Sequence, residues 1–164
     1  QARGLKKVLI VDWDVHHGNG TNDIFYSNPS VLYFSTHQYP HYPGTGRQTE
    51  RGRGTGEGFT INVPMEAGEG DGEYLAVFRK VLVPAADDFK PEFVIISAGF
   101  DGHRDDPLAS MGLTETGYAE LTDIVAGIAK RHAQGRILSS LEGGYNLAAL
   151  ASSVEAHLNA LLAA

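Results

Sequence analysis

The sequence predicts an α/β fold with a parallel sheet, on three observations. Val8-Leu9-Ile10-Val11 is an unbroken run of β-favouring residues, the pattern of a strand buried on both faces. Thr114–His132 carries Tyr118, Leu121, Val125 and Ile128 at spacings of three and four, the pattern of a helix with one apolar stripe. Strand-like and helix-like segments alternate along the chain, which requires crossover connections and hence parallel strands.

In chain order, the first strand is Lys7–Val11. A short helix over Thr21–Tyr26 leads to a second strand, Val31–Ser35, rich in β-favouring residues. A long loop follows, and a third strand is expected at Phe59–Val63. The next helix covers Gly72–Asp88 and returns to the fourth strand, Phe93–Ala98. Thr114 is placed to cap the helix that ends at His132. Ile137–Leu141 is the fifth strand and Leu147–Ala163 the last helix. With no internal repeat and no linker, the 164 residues read as a single domain.

Composition narrows the chemistry. The net charge of −7 argues against a general affinity for nucleic acid or an anionic membrane. With no cysteine, there is no disulfide frame, and a metal would have to be held by nitrogen and oxygen. No apolar run approaches the ~20 residues of a membrane span, and no signal peptide is evident, so an intracellular, cytoplasmic protein is expected. The glycine-rich stretch Gly44–Gly58 fails as a phosphate cradle, since no GK[ST] follows it, and is too short for an RNA-binding RGG segment. It reads as a surface loop of a length that suits the rim of an active site.

Ligands of open parallel sheets bind at the carboxyl ends of the strands. After the first strand, Asp12, Asp14 and His16 occupy alternate positions and point to one side if the chain stays extended. After the fourth comes Gly99-Phe100-Asp101-Gly102-His103, and after the fifth Glu142-Gly143-Gly144-Tyr145-Asn146. Asp14, His16 and Asp101 would give a divalent ion three protein ligands and leave a position open for water, the arrangement of a catalytic zinc. The ligand set by itself allows several divalent ions.

Four ordered segments, DWDVHHGNGT, HYPGTG, AGFDGHRDDPLASMGLT and LEGGYNL, resemble the zinc-dependent histone deacetylase family over essentially the whole chain. The resemblance is to the class II and bacterial amidohydrolase-like branch, because Asn19 stands where the class I pattern has Asp. It implies an arginase/deacetylase-type parallel sheet and zinc ligation by Asp14, His16 and Asp101. It implies that the Tyr145 hydroxyl stabilises the oxyanion, with Gly143 and Gly144 letting the backbone come close. Asp12, with His17 and Asn19, would stand behind the ligands, Asp12 orienting an active-site histidine. A potassium ion would sit beside the zinc on Asp12, Asp14, His16, Ser35 and Thr36, although Ser35 reads equally well as a strand-end hydroxyl. Tyr42 and Leu108 match residues that wall the acyl-lysine tunnel, and an apolar Leu108 favours acyl-lysine over a cationic polyamine. Of the other histidines, His103 is expected in a loop at the site rim, His37 and His41 beside the tunnel motif, and His132 and His157 in solvent. Arg104, Asp105 and Asp106 read as a loop-anchoring charge cluster.

The chain departs from the family pattern in one respect. The family's general-base pair lies in a PGHH-like segment upstream of the DxDxHHG motif, and no such segment occurs here. Residues 1–164 therefore read as part of a deacetylase catalytic domain, lacking its N-terminal portion and strands. The expected function is zinc-dependent deacetylation of acyl-lysine, with the isolated chain inactive or very weak. Alternatives are an acetylpolyamine or other small-amide hydrolase, and a non-catalytic metal- or acyl-ligand-binding fragment. The expected partners are an acetylated protein or small acylated amine. An exposed sheet edge also points to oligomers or to a complementing N-terminal part. In a eukaryote a nuclear location is the alternative to the cytoplasmic one.

Overall fold

A computed structural model describes residues 4–164. Five parallel strands form one sheet in the order β3-β2-β1-β4-β5. They are β1 (Val8–Asp12), β2 (Val31–Gln38), β3 (Thr60–Met65), β4 (Phe93–Ala98) and β5 (Ile137–Leu141). β2 runs three residues past its predicted end because Thr36, His37 and Gln38 pair with Val63, Pro64 and Met65. Pro64, which has no N–H to donate, is tolerated because β3 lies at the sheet edge.

The helices are α1 (Asn19–Phe25), α2 (Asp71–Val77), α3 (Val83–Phe89), α4 (Glu115–His132) and α5 (Leu147–Ala163). The single helix expected over Gly72–Asp88 is interrupted: a π turn at Phe78–Leu82 separates α2 from α3. Pro84 stands two residues beyond it and cannot donate into the preceding turn. Thr114 does cap α4, its side chain accepting the Gly117 N–H.

The main core lies on one face of the sheet. Leu9, Val11, Leu32, Phe34, Val94 and Ile96 meet Phe78 and Leu82 on one side of the helical layer, and Tyr118, Leu121, Val125 and Ile128 of α4. The opposite face holds a smaller cluster, Ile10, Val31 and Tyr33 with Val8, Phe25 and Ile95 around them. β5 pairs only with β4, and Leu138 and Leu141 are 50% and 60% exposed, so this side of the sheet is thinly covered among the described residues.

Three histidine expectations are corrected. His157 is buried, because α5 turns Ala149, Ser153 and His157 inward; its ring meets the Thr122 and Ser139 hydroxyls at 2.7 and 2.9 Å. His103, expected in a loop at the site rim, is buried within the loop after β4, with Nδ1 accepting the Asp105 N–H. His132 is half-buried and pairs with Asp87 at 2.7 Å. No helix among the described residues is long and apolar enough to cross a membrane.

Candidate metal centre

β1 lies between β2 and β4, where the strand order reverses, and the carboxyl ends of β1 and β4 open side by side. Asp14 and His16 follow β1 and Asp101 follows β4. One ligand atom of each lies within 4.8 Å of the others. The His16 Nδ1 is 3.1 Å from Asp14 Oδ1 and 3.0 Å from Asp101 Oδ2, so one imidazole nitrogen faces two carboxylates.

Backbone donors hold the carboxylates in place. Asp14 accepts the His16 N–H through Oδ1 and the Gly143 N–H through Oδ2, both at 2.8 Å. Asp101 Oδ1 accepts the Val15 N–H at 2.8 Å. These contacts need glycine nearby: a Cβ on Gly143 would stand 2.1 Å from Asp101 Oδ2, and one on Gly99 2.4 Å from Asp14 Oδ2.

The electrostatics are those of a site short of positive charge. Burial, then Asp101, pushes Asp14 up to about 6. The hydrogen bond to Asp101 raises His16 to about 8 against the opposing effect of burial. Each residue favours the state that lessens the crowded negative charge, which is also what a divalent cation between them would do. The donor set of two carboxylates and one imidazole fits such an ion.

Asp12 lies behind this cluster. Its Oδ2 accepts from the Tyr33 hydroxyl at 2.9 Å and its Oδ1 from the Asp14 N–H at 3.2 Å. Burial pushes it up to about 8. Ser35 is its register partner on β2, but the Ser35 hydroxyl contacts His37 Nδ1 at 2.9 Å. The Thr36 hydroxyl is buried without a hydrogen-bond partner.

His17 points away from the ligand cluster. Its Nε2 lies 3.0 Å from Asn62 Oδ1 and its Nδ1 2.8 Å from the Thr45 hydroxyl. His37 donates to the Gly46 carbonyl at 2.9 Å, and burial pushes its pKa down to about 4. The glycine-rich loop is thus tied to two buried histidines at its start and is not a free surface segment.

Asp14 and His16 line a cleft of about 600 Å³, with Asn19, Tyr42, Leu108, Gly143 and Tyr145, while Asp101 is buried beside them. Tyr42 and Leu108 are 78% and 52% exposed, at its mouth. One of the expected tunnel residues departs from the cleft wall. Gly144 does not line the cleft, and a Cβ there would meet Leu150. The ring stacked on His16 is that of His41, with centroids 5.1 Å apart, while Tyr42 meets His16 edge-on at 6.2 Å. Tyr145 also approaches His16 edge-on, at 6.4 Å, and burial, then Asp101 and Asp14, hold its phenol above the ordinary range. It is therefore protonated and able to donate a hydrogen bond into the cleft.

Sequence reasoning missed Tyr33, Asn62 and Thr45, which position Asp12 and His17, and missed what Asp106 binds. For Tyr33 and Asn62 the only signal is alternation along β2 and β3, which marks a face but not a partner.

A histone deacetylase domain family model matches residues 1–161. "Probable deacetylase" of Archaeoglobus fulgidus is 47% identical over 145 residues, 88% of this chain and 40% of that protein. "Histone deacetylase 14, chloroplastic" of Arabidopsis thaliana is 46% identical over 162 residues, 99% of this chain and 38% of that protein. The crystal structure of the HDA15 HD domain superposes with a TM-score of 0.94 at 48% identity, over 99% of this chain and 46% of that one. The chain thus spans less than half the length of these relatives.

Proposed function

This chain belongs to the histone deacetylase family and has its α/β arginase/deacetylase-type fold, and from that premise we propose that it serves hydrolytic deacetylation of acyl-lysine. The observation that carries the proposal is the convergence of Asp14, His16 and the buried Asp101 within 4.8 Å, with Asp14 and His16 lining a cleft that Tyr145 also lines. Asp14, His16 and Asp101 would hold zinc, which when bound supplies Lewis-acid polarisation of the amide carbonyl and lowers the pKa of water. Tyr145 donates its hydroxyl proton in a hydrogen bond to the carbonyl oxygen as negative charge develops there. A donor of this kind is worth about 10²–10³ in rate. Gly143 keeps the backbone close against the ligands and orients Asp14 through its N–H.

The backbone carbonyls of Asp12, Asp14 and His16, with Ser35 and Thr36, would hold potassium. The buried Thr36 hydroxyl, which has no hydrogen-bond partner, and Ser35 in register with Asp12 support this reading. The apolar Leu108 at the cleft mouth favours acyl-lysine in a protein over a charged polyamine. With no PGHH-like segment in the 164 residues, the general base is not supplied by this chain, and residues 1–164 act as part of a catalytic domain. Alone, the chain lacks a contribution of about 10²–10⁴ in rate. That same lack favours a second reading, a metal- or acyl-ligand-binding module without turnover of its own.

The test is metal content of the purified chain beside its Asp101→Ala variant, followed by an acetyl-lysine peptide assay. We expect about one zinc per chain, lost in the variant, and very weak deacetylation. A metal-free wild-type chain would overturn the assignment of the site. Ordinary turnover by the chain alone would overturn the need for an external base.

A further inference from the structure

One buried side chain joins the two loops that frame the cleft. The loop after β4 carries Asp101 and Leu108, and the loop after β5 carries Tyr145. Asp106 in the first loop is 7% exposed. Its Oδ1 accepts the Leu108 N–H at 2.9 Å, and its Oδ2 accepts the Tyr145 N–H at 2.8 Å, 39 residues away in sequence. Next to this bridge, the Asn146 side-chain amide donates to the Asp105 carbonyl at 2.9 Å.

Tyr145 needs such an anchor. Its side chain is half exposed, two glycines precede it, and Gly144 sits at φ 148°. Among the described residues its hydroxyl has no hydrogen-bond partner, so the position of the ring follows from the backbone that carries it. A carboxylate accepting a backbone N–H makes a charge-assisted bond, stronger than one between neutral groups.

We infer that Asp106 is a positioning residue: it holds the backbone of Tyr145 and of Leu108 in one register, so that the oxyanion donor and the cleft mouth keep a fixed relation. The catalytic sense of this rests on the role proposed above for Tyr145. A misplacement of about 1 Å in such a donor costs about 10²-fold in rate. Asp106 does not touch the reacting atoms and acts only through the loop.

The test is Asp106→Asn, which keeps the shape but replaces one acceptor oxygen with an amide donor. In a chain carrying ¹³C-labelled tyrosine, seven ring signals are expected, and Tyr145→Phe identifies the one from Tyr145. In Asp106→Asn, the Tyr145 signal shifts and broadens while the other six hold and the zinc content stays the same. The Tyr145 and Leu108 amides exchange with solvent about tenfold faster or more. An unmoved Tyr145 signal with unchanged exchange overturns the inference. Should the Asn variant fail to fold, the unaltered chain decides: both amides are protected, and exchange at the unprotected rate overturns the link. In an acetyl-lysine turnover assay, Asp106→Asn lowers kcat with KM little changed and adds no further loss to Tyr145→Phe; an additive loss overturns it. If Tyr145→Phe leaves turnover intact, the deacetylase reading of Tyr145 fails, and the link remains as loop architecture alone.

Discussion

His157 shows how much chemistry a single side chain can hide on a helix. It is buried between Thr122 of α4 and Ser139 of β5, with Trp13 edge-on at 5.7 Å. Burial pushes it from 6.5 down to about 4. The folded chain resists protonation that the unfolded chain accepts, so this contribution is complete above about pH 6.5 and is lost as pH falls towards 4. Asp12 and Asp14, raised by burial, act in the opposite sense, so the effect of His157 is read as a difference. Thermal melts of wild type and His157→Gln should diverge most at pH 7.5 and converge towards pH 4.5. A constant gap between them would show that His157 does not titrate in this window. The same residue marks a limit of legibility. Asp14, His16 and Asp101 were readable because they follow strand ends and fall in recognisable motifs. His157 was not, because the inward face of α5 is small and polar while Leu147, Leu158 and Leu162 point outward. Nor was the partner of Asp106, since a bond across 39 residues leaves no local trace.

At the scale of elements, the apolar stripe of α4 and the parallel order of the strands were legible because periodicity reports directly on burial. The break in the helix after β3 was not, since Phe78–Leu82 continues the apolar pattern and only Pro84 signals trouble. The start of α4 joins cap and tertiary contact. The Thr114 hydroxyl accepts the Gly117 N–H and donates to Asp71 Oδ2 at 2.6 Å, and Asp71 Oδ1 accepts the Thr114 N–H. Thr114→Ala should therefore cost at least the ~1 kcal/mol of a lost cap, seen as a lower urea midpoint at unchanged m value. A midpoint equal to wild type would mean that α2, not the cap, fixes the start of α4.

For the molecule as a whole, the exposed edge of β5 and the outward leucines of α5 form an apolar flank on a chain of net charge −7. An open strand edge invites pairing. Sedimentation of the isolated chain should show association that grows with protein concentration. A monomer at every concentration would mean that charge alone protects the edge. The strand order has a further consequence, in time. Asp101 lies 85 residues from His16, and Gly143 lies 129 from Asp14, yet both reach the same carboxylate-imidazole cluster. Closing these long loops precedes any reward from the contacts they allow. A folding chain therefore does not assemble this cluster until β4 has docked beside β1, and has no Gly143 support until β5 follows. Metal uptake during refolding would register the completed topology, as an end-point signal of the fold itself.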